Sequence, residues 1–313
     1  MGTLFSSAFL SLEYEGAFNV IISKYVDIGG SVIHYLSREE EKSNGLLLVL
    51  LHGFPENAHT WEALISLLPT SVDVIAPDLP GYHLSSPLAD ESDYQVPFLI
   101  SRMATFIGKV KGDRDVILLG HDWGGAIAWP LAAFHHDLIK KLIIINAAHP
   151  STFTQSLKTS QRQREKSQYI HDLIDKNAQQ WLVDTNFELL KVMLGQSLDE
   201  ESEAYGKGLI NDWSAPKTLN AMLNYYKQMP QQVPQINATE SELDSIRVPD
   251  VFIHLPVLVL WGERDDAFDL SVLDNIEHYV PSIDIHFHKD ASHWLHRDEP
   301  QWVFKKVTNF IAA

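Results

Sequence analysis

Short apolar or β-branched runs recur along much of this chain, with longer segments of helical pattern between them. Such runs occupy residues 46–51, 72–76, 116–119, 142–145 and 257–261. An alternation of short buried strands with helices is typical of a parallel sheet that is covered on both faces. The pattern therefore predicts an α/β fold with a mostly parallel sheet flanked by helices.

A β-hairpin is predicted ahead of these runs. Residues 24–28 and 31–36 both have strand character, and Gly29 and Gly30 separate them. Two consecutive glycines supply the positive φ angles that a tight hairpin turn requires. We expect this hairpin to open the sheet.

The regular alternation stops in the second half of the chain. Residues 151–245 are polar and helix-forming, three prolines interrupt them, and the strand pattern returns near residue 255. Open α/β sheets bind ligands at the carboxyl ends of their strands, where an inserted helical block would lie. We therefore predict a helical cap subdomain at 151–245, inserted into a core formed by 1–150 and 246–313.

Composition narrows the possible partners. The chain has 313 residues and a formal net charge of -17, which opposes binding to nucleic acid phosphates. It contains no cysteine, so disulfides and thiolate metal sites are excluded. Its apolar runs fall short of the ~20 residues that span a bilayer, and no basic residue precedes the first one, so we expect a cytoplasmic protein. We expect it to be a monomer or a homodimer.

The most informative motif joins a buried strand to a helix at Gly120-His-Asp-Trp-Gly-Gly125. In such a nucleophile elbow the glycines permit a sharp turn, which projects the central side chain into the site. The central residue here is Asp122. A carboxylate is ionised at neutral pH and can attack an electrophilic carbon directly, so the predicted intermediate is an ester of the enzyme.

Hydrolysis of such an ester requires a base and two hydrogen-bond donors for the oxyanion. His293 lies in a loop before the last helix, and Asp265 follows a strand, with its neighbour Asp266 as the alternative partner of the histidine. The order nucleophile, acid, histidine is that of α/β-hydrolases. The backbone N–H groups of Phe54 and Trp123 are the expected oxyanion hole.

The chain resembles the α/β-hydrolase superfamily and, within it, the epoxide hydrolases. The resemblance runs from about Tyr25 to the last helix, through the segments HGFPE, PDLPGY, GHDWGG, WGERD and SHW. It implies the α/β-hydrolase fold and an enzyme that opens a small apolar epoxide with water to give a vicinal diol. It implies neither cofactor nor metal, and although His286 and His288 share one face of a strand, no third ligand accompanies them.

Two tyrosines of the cap complete the site that the resemblance implies. Opening an epoxide leaves an alkoxide, and a tyrosine hydroxyl is a suitable proton donor for it. Tyr226, in the segment AMLNYYK, matches the cap motif of epoxide hydrolases, and Tyr169 is the candidate for the second donor. The residues expected to contact the substrate are His52, Pro55, Trp123 and Tyr225.

Two alternatives share the predicted fold. Haloalkane dehalogenases also carry an aspartate elbow, and Trp123 suits their halide site, but they often have asparagine where this chain has Phe54. Fluoroacetate dehalogenases place an arginine at the position of Trp123. An α/β-hydrolase without activity, used as a small-ligand receptor or interaction module, is the alternative from another class, and the intact set of Asp122, Asp265 and His293 disfavours it.

Overall fold

The computed structural model describes residues 20–39, 45–195 and 203–313. Within these ranges eight strands form one sheet. The strands are β1 (Ile21–Asp27), β2 (Val32–Arg38), β3 (Leu46–Leu51), β4 (Asp73–Pro77), β5 (Asp115–His121), β6 (Lys141–Ile145), β7 (Val257–Arg264) and β8 (Ile283–Ser292).

The sheet has the order β1-β2-β4-β3-β5-β6-β7-β8. β1 and β2 form the expected antiparallel hairpin, in which Gly29 and Gly30 have φ angles of 97° and 91°. β2 also pairs with β4 in antiparallel fashion, whereas the pairs from β4 through β8 are parallel. The prediction of an α/β fold with a mostly parallel sheet is confirmed.

Helices cover both faces of this sheet and fill the segment between β6 and β7. No helix of the described ranges is both long and apolar enough to cross a membrane. The helices are α1 (Glu62–Leu67), α2 (Val96–Val110), α3 (Trp123–Phe134), α4 (Pro150–Thr159), α5 (Gln161–Lys166), α6 (Tyr169–Ile174), α7 (Ala178–Asp184), α8 (Glu188–Leu194), α9 (Glu203–Ser214), α10 (Pro216–Lys227), α11 (Glu240–Ser245), α12 (Ile276–Tyr279), α13 (Leu295–Asp298) and α14 (Pro300–Ala312).

The central strands are apolar on both faces, because each face packs against helices. In β3, Leu47 and Val49 belong to the apolar cluster that includes residues of α2 and α3, while Leu48 and Leu50 belong to the cluster that includes residues of α1 and α14. Successive side chains of a strand point to opposite faces, so one apolar run serves both layers. Because side chains on both faces are buried, each central strand is a continuous apolar run in the sequence.

Helices α4 to α11 lie between β6 and β7 in the chain, and several of them meet loops at the carboxyl ends of other strands. The indole of Trp213 in α9 donates a hydrogen bond to the carbonyl of Pro55, and the Tyr225 hydroxyl in α10 donates to the carbonyl of Pro80. α10 also packs against α6, α7 and α9. The helical insertion is thus fastened above the loops that follow β3 and β4.

Candidate active site

Asp122 occupies a strained turn between β5 and α3. Its φ of 48° and ψ of -119° lie outside the regions that residues with a side chain favour. The turn requires close contact with β3, since a Cβ at position 124 would lie 2.2 Å from the carbonyl oxygen of Leu51. Glycine at position 124 therefore permits the turn that aims the Asp122 side chain into the site.

The loop after β3 holds the Asp122 carboxylate from the other side. The backbone N–H of Phe54 donates a hydrogen bond of 2.7 Å to Oδ1 of Asp122. A Cβ at position 53 would lie 2.4 Å from the Cβ of Asp122, so glycine is required there as well. Trp123 is the first residue of α3, where backbone N–H groups have no partner within the helix. The Phe54 N–H, one of the two expected oxyanion donors, thus lies beside the carboxylate.

His293 stands between two carboxylates. Its Nδ1 is 2.9 Å from Oδ2 of Asp265, and its Nε2 is 3.6 Å from Oδ2 of Asp122. The Asp265 carboxylate accepts the Nδ1–H, and the other ring nitrogen, Nε2, faces Asp122. Asp265 is buried, whereas Asp266 is exposed. The structure thus brings Asp265, and not its neighbour, to the histidine.

Asp265 is itself held by several hydrogen bonds. Its Oδ1 accepts the backbone N–H groups of Ala267 and Phe268 at 2.7 and 2.9 Å. Its Oδ2 accepts the side-chain amide of Asn146 at 2.8 Å. Asn146 follows β6 with a positive φ of 39°, and sequence reasoning missed it. An asparagine directly after a buried strand was the available signal, since asparagine tolerates this conformation better than most residues.

Neighbouring charges and hydrogen bonds shift the pKa values of His293 and Asp265. Burial alone lowers the pKa of His293, but the carboxylates of Asp265 and Asp122 raise it to about 10. Burial raises the pKa of Asp265, but the His293 charge and the hydrogen bonds from His293 and Asn146 outweigh it, so this pKa lies below its usual value. His293 is therefore protonated at neutral pH in the free site.

A cavity of about 640 Å³ opens beside Asp122, and its lining includes Trp123, Tyr169 and Tyr226. The Tyr226 ring meets the rings of Phe54, Trp123 and Tyr169 edge to face, with centroid distances of 4.9, 5.3 and 6.2 Å. Burial raises the pKa of both tyrosines, and nearby negative charge, including that of Asp122, raises it further. Both hydroxyls therefore keep their protons at neutral pH.

Three of the residues expected to contact the substrate are not among those that line this cavity. His52 is fully buried, and its two ring nitrogens bond to the backbone of neighbouring loops. Pro55 accepts the indole N–H of Trp213, and Tyr225 directs its hydroxyl to Pro80. None of the three lines the cavity. Adjacent residues of a helix point about 100° apart, so Tyr225 packs inward while Tyr226 faces the cavity.

The two histidines of β8 take part in surface contacts. Nε2 of His286 lies 2.9 Å from Oδ2 of Asp284, and Nε2 of His288 lies 3.9 Å from Oε2 of Glu299. Within the described ranges neither histidine belongs to a group of three side chains spaced as metal ligands would be.

A different, fully buried group in the described residues does have such spacing. The ligand atoms of Glu56, His121 and His296 lie within 4.8 Å of one another. Arg297, however, already supplies a positive charge to Glu56 at 3.1 Å. Burial raises the pKa of Glu56, but His296 and Arg297 lower it to about 2. Nε2 of His121 donates to the carbonyl of His293 at 3.0 Å, so this network supports the loop that carries His293.

Comparison with known proteins agrees with this architecture. The family described as alpha/beta hydrolase fold matches residues 47–300. Epoxide hydrolase 3 of Xenopus tropicalis is 28% identical over 90% of this chain and 75% of its own length. The AB hydrolase superfamily protein YfhM of Bacillus subtilis (strain 168) is also 28% identical, over 92% of this chain and 97% of its own. The crystal structure of a Bacillus megaterium epoxide hydrolase in complex with an inhibitor is 29% identical, with a TM-score of 0.80, and the match covers 93% of this chain and 100% of that one. Since the family match spans residues 47–300, which is most of the chain, the chain belongs to the α/β-hydrolase fold family.

Proposed function

We propose that this chain is an epoxide hydrolase, which opens a small apolar epoxide with water to give a vicinal diol. The observation that carries the proposal is that two protonated tyrosines, Tyr169 and Tyr226, line the same cavity as Asp122. A carboxylate opposite neutral hydroxyls suits a reaction that needs a nucleophile at carbon and a proton at oxygen. Relatives named epoxide hydrolases cover most of the chain, which supports the same assignment.

In the first step, a carboxylate oxygen of Asp122 attacks one epoxide carbon. The bond between that carbon and the ring oxygen breaks, and its electron pair remains on the oxygen. Tyr226, together with Tyr169, donates the hydrogen bonds that stabilise this oxygen, and one of the two hydroxyls transfers its proton. The products are a hydroxyalkyl ester of Asp122 and a tyrosinate.

In the second step, water attacks the carbonyl carbon of the ester. His293 accepts a proton from the water, while Asp265 stabilises the positive charge and fixes the ring. The N–H groups of Phe54 and Trp123 stabilise the oxyanion, a role supported by the hydrogen bond that Phe54 already makes to Asp122. Release of the diol uses the proton held by His293, and the proton of the regenerated carboxyl group returns to the tyrosinate.

The pKa of His293 links the formation of the ester to its hydrolysis. In the free site its pKa is raised to about 10, in part by the negative charge of Asp122. Ester formation removes that charge, so the pKa of His293 falls and the ring releases its proton to solvent, from which it regains one when the Asp122 carboxylate is restored. The base therefore becomes available once the ester that it must hydrolyse has formed.

The helical segment 151–245 is proposed as the cap that carries both tyrosines. Its hydrogen bonds to the loops after β3 and β4 support this role, because they fasten α9 and α10 above the strand ends. The acidic net charge supports the absence of a nucleic acid partner, and the short apolar runs support a cytoplasmic location. A monomer or a homodimer is proposed.

Haloalkane dehalogenation is the second candidate, because the buried side chain of Trp123 also lines the cavity. Parallel assays on styrene oxide and a bromoalkane separate the two functions. Diol release without halide release supports epoxide hydrolysis, and the opposite result supports dehalogenation. Binding of both compounds without turnover of either supports the receptor alternative.

A further inference from the structure

Gln163 is a fully buried polar residue of α5, and its side chain meets the segment of chain that follows β7. Its Nε2 donates a hydrogen bond to the carbonyl of Ala267 at 3.1 Å, and its Oε1 accepts the backbone N–H of Asp269 at 2.7 Å. A side-chain amide is suited to this contact because it carries a donor and an acceptor together. The amide of Gln163 therefore binds the turn 267–269 at both of its ends.

The turn 267–269 holds the Asp265 carboxylate in place. The backbone N–H groups of Ala267 and Phe268 donate to Oδ1 of Asp265, while Oδ2 of Asp265 accepts from Nδ1 of His293. The Phe268 ring also lies beside the His293 ring, with a centroid distance of 5.9 Å. A displacement of this turn would therefore disturb Asp265 and His293 together.

Three side chains of α5 contact this part of the chain, and Gln163 is the buried one. Nε of Arg162 lies 3.1 Å from Oδ2 of Asp269, but the Arg162 side chain is 74% exposed, and an ion pair at the surface fixes position weakly. Nζ of Lys166, which is half-buried, donates to the carbonyl of Asp265 at 2.5 Å. A buried polar group is costly to leave without a partner, so the two bonds of Gln163 hold the turn most firmly.

The amide of Gln163 makes a third hydrogen bond, to a residue near Tyr169. Nε2 donates to the hydroxyl of Ser167 at 2.9 Å. The backbone N–H of Ser167 is held independently by the carbonyls of Gln163 and Arg164, at 3.0 and 3.1 Å. Ser167, and Tyr169 after it, therefore keep their positions without the side chain of Gln163.

We infer that Gln163 is a positioning residue for hydrolysis of the Asp122 ester, because it fixes the turn that holds Asp265 and, through Asp265, His293. This inference rests on the proposed function. Gln163 does not line the cavity, so it takes no direct part in the chemistry. Attack on the epoxide by Asp122 needs neither Asp265 nor His293 as a base. Loss of the amide should therefore slow the second step and leave the first step nearly unchanged.

Gln163→Met tests this division, since methionine is similar in size and cannot donate to the Ala267 carbonyl. Styrene oxide is mixed with an excess of protein, and peptide mass spectrometry follows the Asp122 ester as it forms and decays. We expect ester formation to change by less than about 2-fold and ester decay to slow by about 10-fold, because a small misplacement of a catalytic group can lower a rate by up to about 10²-fold. Gln163→Asn, which keeps an amide that is one methylene too short to reach the turn, should give the same pattern.

The pH dependence of ester decay distinguishes positioning from a general loss of stability. Burial lowers the pKa of His293, but the carboxylates, Asp265 foremost, raise it. His293 must be unprotonated to accept a proton from water, so ester decay becomes faster as pH rises through this pKa. If Asp265 moves away with the turn, the pKa of His293 falls. In Gln163→Met we therefore expect the half-maximal decay rate at a lower pH than in the unmodified protein.

Thr152→Val is the matched control. Thr152 is a buried residue of α4, and its hydroxyl donates to the carbonyl of Val272, so it also joins a helix of the insertion to the chain after β7, but beyond the turn 267–269. We expect Thr152→Val to unfold at a lower urea concentration and to keep both rates and the pH dependence of ester decay.

Four results would overturn the inference while leaving epoxide hydrolysis intact. In Gln163→Met these are equal slowing of both steps, an unchanged rate of ester decay, or slower decay with an unchanged pH dependence. The fourth is the same slowing of decay in Thr152→Val. If the unmodified protein formed neither an ester nor a diol from any epoxide, the proposed function itself would be wrong.

Discussion

Nε2 of His293 faces Oδ2 of Asp122 at 3.6 Å, while Nδ1 is held by Asp265. Nε2 therefore faces the Asp122 carboxylate before the first step and the ester formed on Asp122 after it. A histidine in this position has no need to activate the nucleophile, because a carboxylate is already ionised. His293 is needed as a base in the second step, the hydrolysis of the ester. Ester formation and ester hydrolysis can therefore be tested separately.

Replacement of the nucleophile tests the first step. Asp122→Asn keeps a carbonyl oxygen for the Phe54 N–H but removes the anionic oxygen that attacks the epoxide. We expect the folded protein to persist and turnover to fall by about 10⁴-fold or more. Steady-state diol formation is measured on freshly purified protein, with the mass of the intact chain checked for deamidation back to aspartate. Full turnover by a chain that still carries asparagine would exclude Asp122 as the nucleophile.

Replacement of the base tests the second step. His293→Gln leaves Asp122 and both tyrosines in place, so the epoxide is still opened, but the ester lacks a base to promote its hydrolysis. We expect the peptide that contains Asp122 to gain the mass of one substrate molecule after incubation with an epoxide. Peptide mass spectrometry measures the adduct. Normal turnover with no adduct would assign the base to another residue.

Parts of this site follow from the sequence because local chain geometry determines them. The predicted strand at 46–51 coincides with β3, and the glycines of the elbow place the Asp122 side chain where the strand ends. The identity of the residues that surround the cavity depends on contacts between distant segments. Tyr225 packs inward because its hydroxyl meets the carbonyl of Pro80, and no local pattern specifies that partner. The support from Asn146 depends in the same way on the meeting of β6 and β7.

The adjacent tyrosines of α10 offer a matched pair of variants. Tyr226→Phe removes a hydroxyl that lies in the cavity, and we expect ester formation on an epoxide to slow by about 10²-fold or more, as for loss of a general acid. Tyr225→Phe leaves the Pro80 carbonyl without its donor and should cost about 1–3 kcal/mol of unfolding free energy, with little effect on the rate. Single-turnover rates and denaturant unfolding measure the two effects. If ester formation slowed in Tyr225→Phe and kept its rate in Tyr226→Phe, Tyr225 would be the proton donor and Tyr226 the packing residue.

The raised pKa of His293 predicts a dependence of stability on pH. The pKa is 6.5 in the unfolded chain and about 10 in the folded protein, so the folded state binds the proton more tightly. The stabilisation is complete below pH 6.5 and is lost as pH rises toward 10. We expect the unfolding free energy to decline over this interval and the decline to be smaller in His293→Gln. Urea unfolding at several pH values measures this decline. If the unfolding free energy fell equally with pH in both proteins, the raised pKa of His293 would be refuted.

Gly53 should also be sensitive to substitution, although less so than the nucleophile. In Gly53→Ala the new methyl group would lie 2.4 Å from the Cβ of Asp122, so either the loop after β3 or the carboxylate must move. Both outcomes break the alignment of the Phe54 N–H with the carboxylate, and we expect kcat to fall by about 10²-fold, the typical effect of losing one oxyanion donor. Gly108→Ala is the control, because a Cβ at that position in α2 meets no atom within 4 Å. It should leave kcat unchanged and raise stability slightly, since alanine favours the helix. If Gly53→Ala retained full activity, the contact between the loop and Asp122 would have no catalytic role, and the oxyanion would have to be stabilised elsewhere.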